Sequence, residues 1–479
     1  MSQHISQAGN GGKFNLTQSR AVRVVNDFLE SPWFILLVCV LTAVSNLFRA
    51  ELLVYTLFIL FAVYIALLGR DFLPIMPLAI SCYIAPSVNN NPGRNETSVF
   101  YPQNGGIYLL TLFLIFAVCA AIRLAKDKEL GGMHFLKRKR KLLPGIVILG
   151  IGYVLGGAFS GRYFEHGFGN LGFALMQFLA IFVMYWFFSG AVRWEKAHHN
   201  YFAWVGLGVG LTVCCELIGV FITNQVIVDS TIKTSLIASG WGNANNIGCM
   251  IAMMIPFAFA LAQRSKASWL FCCLAVVLFA LTCLTCSRTA ILVAFFVYIV
   301  AMIPAFCDKA QRKNILIFNG ITLVALIILF VVFHERLDML FEELRSRGFA
   351  PRLRDKIYPE GIRVFLENPI FGEGFYPSTD VIYEWSDLDQ FKAILPARWH
   401  NTVIQLLASC GIVGLAAYSF HRVQTIKLLW KKHNPAALFV GLSLAAMLLM
   451  SLLDCHFFNI GPVLFYSMGL AFIEHIPDV

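Results

Sequence analysis

Arg398, Trp399, His400 and Asn401 stand directly before the apolar run TVIQLLASCGIVGLAAYSF. A cation, an indole, an imidazole and an amide at the mouth of an apolar helix make a place where an anion and a proton can both be handled. Asn401 can cap the helix. That leaves His400 just outside an N-terminus whose free N–H groups favour anions and disfavour an imidazolium. A histidine held neutral there can act as a base near neutral pH. Trp399 has the amphipathic ring of a membrane-interface residue. Two other stretches bring arginines. In CSRTA, Arg288 opens an apolar run after a tight turn; RGFAPRLRDKIYPEGIRVFLENPIFGEGF, from Arg347 to Phe375, carries Arg352, Arg354 and Arg363. Guanidinium groups stay charged at any relevant pH and match phosphate oxygens two at a time. In SGWGNANNIG, Asn245 or Asn246 can cap the next helix, line a ligand, or do both.

The elements that must position these groups are membrane helices. The chain has 479 residues, 58% of them hydrophobic and 13% charged, with mean hydropathy +0.71. Soluble domains carry about 25% charge, so a soluble globule is excluded. Fourteen apolar segments recur between residues 33 and 474, of which the third (72–86) and fifth (144–158) are short enough to be half-spans. The expected fold is an all-α polytopic membrane protein with about 12–14 transmembrane helices.

Lys and Arg set the orientation. With Lys13, Arg20 and Arg23 inside, the short basic loops, including the run from Lys137 to Lys141, also fall inside, and both termini are cytoplasmic. The chain then divides into a cytoplasmic tail (1–30), eleven spans (31–333), a long external segment (334–400) and three final spans (401–479). Within the external segment, RLDMLFEEL places Leu337, Leu340, Phe341 and Leu344 at helical spacing, an amphipathic stretch suited to the membrane surface. The net charge of +10 marks the cytoplasmic face against anionic lipid and does not argue for nucleic acid. Most of the thirteen cysteines lie inside apolar spans, and no His, Cys and carboxylate cluster has metal-site spacing. Neither a metal nor a cofactor is expected.

On this topology the arginines, the asparagines and His400 share the external face. An anion carried in the bilayer suits them, and a diphosphate-linked lipid is the obvious candidate, with its tail in the membrane and its head at this face. If a sugar is joined through the diphosphate, breaking that bond releases a dianionic group that fixed guanidiniums can stabilise without a metal. His400 would then assist attack by an acceptor hydroxyl. A carrier or flippase for the same lipid is the rival. It would want midplane charges and related halves, and the sequence shows no internal repeat.

Four stretches, in order, resemble the bacterial O-antigen ligase and O-antigen polymerase family of membrane glycosyltransferases. GNANNIG resembles its Asn-rich turn before a span, and SRTA (Ser287 to Ala290) its Ser-Arg element. RLRDKIYPEGIRVFLENPIFGEGF resembles its external segment, where an Arg precedes a short helix and a Pro-x-x-Gly-x-Gly turn. HNTVIQLLASCGIVGL resembles its His-Asn helix ending in paired glycines. The resemblance covers about residues 239–420. It implies a GT-C-like helical enzyme in the bacterial inner (cytoplasmic) membrane, with an undecaprenyl-diphosphate-linked glycan as donor. The acceptor would be a glycan or a lipid core. His400 would be the catalytic histidine, and Arg288 and Arg354 would hold the diphosphate, Arg354 because it stands at the family-like distance before Pro369, with Arg352 as the alternative. Arg363, Arg398, Asn401, Asn245 and Asn246 would line the substrate. The chain departs from the family pattern at Tyr358, where a Trp is common. Pro359 and Gly361 would also disturb the short helix.

Overall fold

The computed structural model describes residues 20–48, 50–84, 105–127, 133–195, 198–223, 225–239, 242–346, 354–384 and 397–477. They form nineteen α-helices, and the only sheet among them is two small antiparallel hairpins (Ile227–Val228 with Thr231–Ile232, and Ala238–Ser239 with Gly242–Asn243). The protein is all-α. Each of the fourteen apolar segments is a helix, because an apolar run must satisfy its backbone polar groups internally.

Length divides these helices. Six are long and apolar enough to cross a membrane: Gly169–Ala191, His198–Thr223, Ala244–Arg264, Arg288–Cys307, Arg312–Leu340 and Thr402–Trp430. Arg20–Leu29 and Pro32–Ser45, bent by 66°, make a seventh if they are one span. Others stop short. Ile75–Ile84 has 10 residues and Leu143–Val154 has 12, about 15 and 18 Å at 1.5 Å per residue, against a hydrocarbon core of about 30 Å. The two segments read as short are therefore short helices, and the tally of apolar helices exceeds that of full-length ones.

Ala244–Arg264 is the hub, with 89% of its apolar window buried. It packs against His198–Thr223, Ser268–Leu284, Arg288–Cys307 and Pro435–Ser451. Arg312–Leu340 is the opposite case, with only 6% of its window buried. It runs on past residue 333, where Phe333 alone leaves helical values, and is followed by Glu342–Ser346. The stretch expected to lie on the membrane surface is thus split between two helices. Leu340, Phe341 and Leu344 pack against the main core.

The decisive irregularity is in Thr402–Trp430. This helix does not end at its paired glycines. It breaks at Gly411 (φ +61°, ψ −161°) and continues to Trp430. A break at that residue strips the Ile412 and Val413 N–H groups of their partners four residues back, the carbonyls of Ala408 and Ser409. The turn NPIFGEGF takes up all four groups. Ile412 N–H donates to Pro369 O (2.9 Å) and Val413 N–H to Ile370 O (3.1 Å), while Ala408 O accepts from Glu373 N–H (2.9 Å) and Ser409 O from Gly374 N–H (3.0 Å). Gly157 N–H closes the other side of the turn on Phe371 O (2.7 Å). A Cβ on Gly411 would lie 2.3 Å from Ile370 O, and one on Gly372 (φ +68°) 2.5 Å from the Ser409 carbonyl carbon. Only glycine fits both the torsion and the space.

Gly411→Ala and Gly372→Ala should therefore each cost about 2 kcal/mol or more and lower the melting temperature in detergent. Gly320→Ala, whose Cβ would meet nothing within 4 Å, should not lower it. Equal losses in all three would show that the docked turn has no special role.

Candidate functional site

His400 sits in the left-handed region (φ +51°), rare for a residue with a side chain. Three contacts hold it there. Asn401 caps Thr402–Trp430, accepting from Val403 N–H (2.8 Å) and Ile404 N–H (3.1 Å), and its amide donates to Leu452 O (2.7 Å). Tyr358 Oη donates to His400 O (2.9 Å). The imidazole Nδ1 meets Asp454 Oδ1 at 3.2 Å, with the ring half exposed and the carboxyl mostly buried. Burial alone would push the Asp454 carboxyl up. The hydrogen bond from His400, the neighbouring imidazoles and the Cys455 N–H outweigh it and hold the group well below the usual carboxylate range. An ionised Asp454 only accepts hydrogen bonds, so the His400 proton belongs on Nδ1 and Nε2 is left as an acceptor. Burial pushes the adjacent Cys455 thiol up to about 12, which keeps it protonated near neutral pH.

Asp454 joins the histidine to two of the polar stretches. Its Oδ2 accepts from Asn245 Nδ2 (2.9 Å), and Asn245 Oδ1 accepts from Ser287 Oγ (2.8 Å). Ser287 is itself the N-cap of Arg288–Cys307. The cap of Ala244–Arg264 is Asn243, not Asn245 or Asn246 as the sequence suggested. Asn243 accepts from both of their N–H groups, which frees their side chains for the site. Asn246 Oδ1 accepts from Asn459 Nδ2 (2.7 Å), and Asn459 Oδ1 from Arg398 Nη1 (3.4 Å). The Arg398 guanidinium also lies over the Phe173 and Phe458 rings, 5.5 and 5.9 Å from their centroids.

Beside this network is a cavity of about 930 Å³. Arg288, Arg345, Arg354, Asp355 and Tyr358 give it a polar side; Phe279, Ile291, Leu292, Phe295, Leu344 and Leu453 give it apolar walls. Arg288 and Arg354 are therefore brought together. Arg352 lies outside the described residues. Arg363 faces away, in ion pairs with Glu360 and Glu367 of its own helix. That helix, Arg354–Glu367, runs unbroken through Pro359 and Gly361. Gly361 is where it touches Trp399 and Ile404, since a Cβ there would lie 2.5 Å from Ile404. Trp399 is not an interfacial residue: it is buried with Val364 and Ala408.

Asp454, Asn459 and Arg345 were missed in the sequence. A lone carboxylate at the end of an apolar segment, in LLDCHFFN, was the available signal for Asp454. A second buried cation, Arg422, lies inside Thr402–Trp430. It donates to Tyr466 Oη (2.6 Å) and is closed in by the rings of Phe457, Tyr418 and Tyr466 at 4.1, 4.5 and 4.8 Å. It is not among the residues lining the cavity.

Fold and site define a multi-pass α-helical membrane protein with an apolar-walled, arginine-lined cavity beside a histidine–carboxylate pair. Residues 251–419, about a third of the chain, match the family model described as O-antigen ligase, which supports an O-antigen ligase or polymerase assignment for that part of the chain. The match takes in Arg288, Arg354 and His400 but begins after Asn245 and ends before Asp454. No curated protein matches the chain.

Ser287→Ala removes a helix cap and the hydrogen bond that orients Asn245. It should cost about 1–2 kcal/mol, seen as a lower melting temperature, while Ser287→Thr should keep most of the stability. A fully stable Ser287→Ala would mean that the Ser287–Asn245 contact does not organise the site.

Proposed function

We propose that the protein transfers or polymerises a glycan from an undecaprenyl-diphosphate-linked donor onto an acceptor hydroxyl, by inverting direct displacement at the external face of the bacterial inner membrane. The observation that carries this reading is that one cavity has apolar walls, is lined by Arg288 and Arg354, and adjoins the His400–Asp454 pair, through the Tyr358 hydrogen bond to the His400 carbonyl and through Leu453 next to Asp454 in the chain. The donor's isoprenoid lies along Phe279, Leu292 and Phe295, and its diphosphate lies between Arg288 and Arg354. The acceptor oxygen attacks the anomeric carbon from the side opposite the diphosphate and gives its proton to His400 Nε2. The bond from that carbon to the phosphate oxygen breaks, and its electron pair leaves with the diphosphate. The new negative charge develops against the two guanidiniums, where electrostatic stabilisation acts on the transition state. Asp454 fixes the histidine tautomer and balances the imidazolium. General-base help of this kind contributes about 10²–10⁴-fold. Since the arginines carry the charge, the reaction needs no metal.

A carrier reading draws on one observation, the buried Arg422. Its guanidinium is enclosed by rings and bonded to Tyr466 rather than facing the cavity, which favours a structural post over a transport path.

The test follows release of undecaprenyl diphosphate by purified protein given a diphosphate-linked oligosaccharide and candidate acceptors. Wild type should release it only with an acceptor, also in excess chelator, and His400→Ala should release none. Asp454→Asn should lower turnover about 100-fold or more with donor KM near wild type. Arg288→Ala and Arg354→Ala should raise donor KM more than the Lys variants do. Wild-type transfer by His400→Ala would remove the histidine from catalysis. Binding without release in every variant would point to the carrier.

A further inference from the structure

We propose that Arg345 is a third phosphate-binding residue of the cavity, held in reserve by Asp338 and released to the ligand when a diphosphate enters. The inference rests on the diphosphate reading above. It concerns a residue outside the quoted stretches that carry Arg288 and Arg354.

Arg345 lines the same cavity as Arg288 and Arg354 but belongs to a different element, the short helix Glu342–Ser346. That helix is moored. Leu344 packs against the main core and forms part of the cavity wall. Glu343 Oε1 accepts from Thr234 Oγ1 (2.9 Å), and Thr231 Oγ1 donates to Met339 O (3.2 Å), which ties the turn before it to the Ile227–Ile232 hairpin. The backbone carrying Arg345 is thus fixed at the cavity, while the side chain is long and exposed. Its Nη1 lies 3.7 Å from Asp338 Oδ2, in the last turns of Arg312–Leu340, and both side chains of this pair are exposed. Exposed pairs of this kind are weak. A phosphate offers charge and a bidentate match, which a guanidinium takes in preference to one carboxylate oxygen at that distance.

The chemistry of the proposed reaction gives the third cation its use. When the bond to the sugar breaks, the leaving diphosphate carries one more negative charge than it did in the donor. Two guanidiniums face a group whose charge is rising, and a third, on a flexible side chain at the rim, adds most when the ligand is most anionic. Arg345 should therefore discriminate diphosphate from monophosphate, and Asp338 should compete with the ligand for it.

The test is equilibrium binding of two soluble probes, farnesyl diphosphate and farnesyl monophosphate, to the full-length protein in detergent. Arg345→Ala should weaken diphosphate binding about tenfold while monophosphate binding changes less than about twofold. Arg345→Lys should fall between. Asp338→Asn should tighten diphosphate binding, and the double variant should bind like Arg345→Ala alone, because without the arginine the carboxylate has nothing to compete for. Unchanged diphosphate affinity in Arg345→Ala, or a tightening by Asp338→Asn that survives in the double variant, would overturn the proposal. Inorganic pyrophosphate is the control for a lipid-independent site; binding as tight as farnesyl diphosphate would mean that the apolar walls take no part. Arg288→Ala distinguishes the two levels. If it weakens both farnesyl probes while Arg345→Ala weakens neither, only the role of Arg345 fails. If neither variant matters, the diphosphate reading fails as well.

Discussion

The break at Gly411 is the constraint on which the rest depends. A helix interrupted between membrane segments leaves two donors and two acceptors with no water to turn to, at a cost of several kcal/mol if they stay unpaired. The turn from Pro369 to Gly374 satisfies all four. Because every donor and acceptor has a fixed partner, the turn can dock in one register only. Its docking fixes the end of Arg354–Glu367, which packs on the first turns of Thr402–Trp430 through Gly361, Trp399 and Ile404. A backbone requirement inside one helix thereby sets where Arg354–Glu367 lies relative to His400.

The histidine is built in the same manner, from segments that chain connectivity does not bring together. Ser287, Asn245, Asp454 and His400 come from four places and form one line of hydrogen bonds. Each member has its polar atoms directed by the next: the serine caps a helix, the asparagine presents its carbonyl to the serine and its amide to the aspartate, and the aspartate holds the imidazole. Such a chain is costly when broken at its buried members, Ser287 and Asp454, whose polar atoms would lose their partners. It also explains why His400 tolerates a positive φ, which the surrounding contacts over-determine.

Most of the helices were legible in the sequence because a membrane leaves apolar runs little choice, and Asn401 was legible as a cap from its place before such a run. The pairing of Arg288 with a loop arginine came from the family resemblance, in which the distance before Pro369 favoured Arg354 over Arg352. What the sequence hid depended on tertiary contact. Trp399 resembles a belt residue until Val364 and Ala408 are seen to bury it. Asn243, Asn245 and Asn246 are chemically equal candidates for one cap, and only backbone geometry gives it to Asn243. Asp454 went unread at the end of an apolar segment, and its partner lies 54 residues away at His400. Pro359 suggested a broken helix, yet Arg354–Glu367 runs straight through it.

On the proposed mechanism that helix links binding to chemistry. Arg354 and Tyr358 stand four residues apart, on one face and about one turn of rise from each other. The first lines the cavity; the second lines it too and holds the His400 carbonyl. A rigid helix cannot move one without the other. If a diphosphate draws Arg354 inward, Tyr358 follows and carries a pull to the backbone of the base. If the helix is displaced outward, the phosphate contact and the histidine's support are lost together. Separate loops could bind a donor while leaving the base misplaced, and an activated donor would then be exposed to water. On the proposed mechanism, placing both groups on one helix, moored to a broken span by the 369–374 turn, makes a bound donor and an oriented base a single condition.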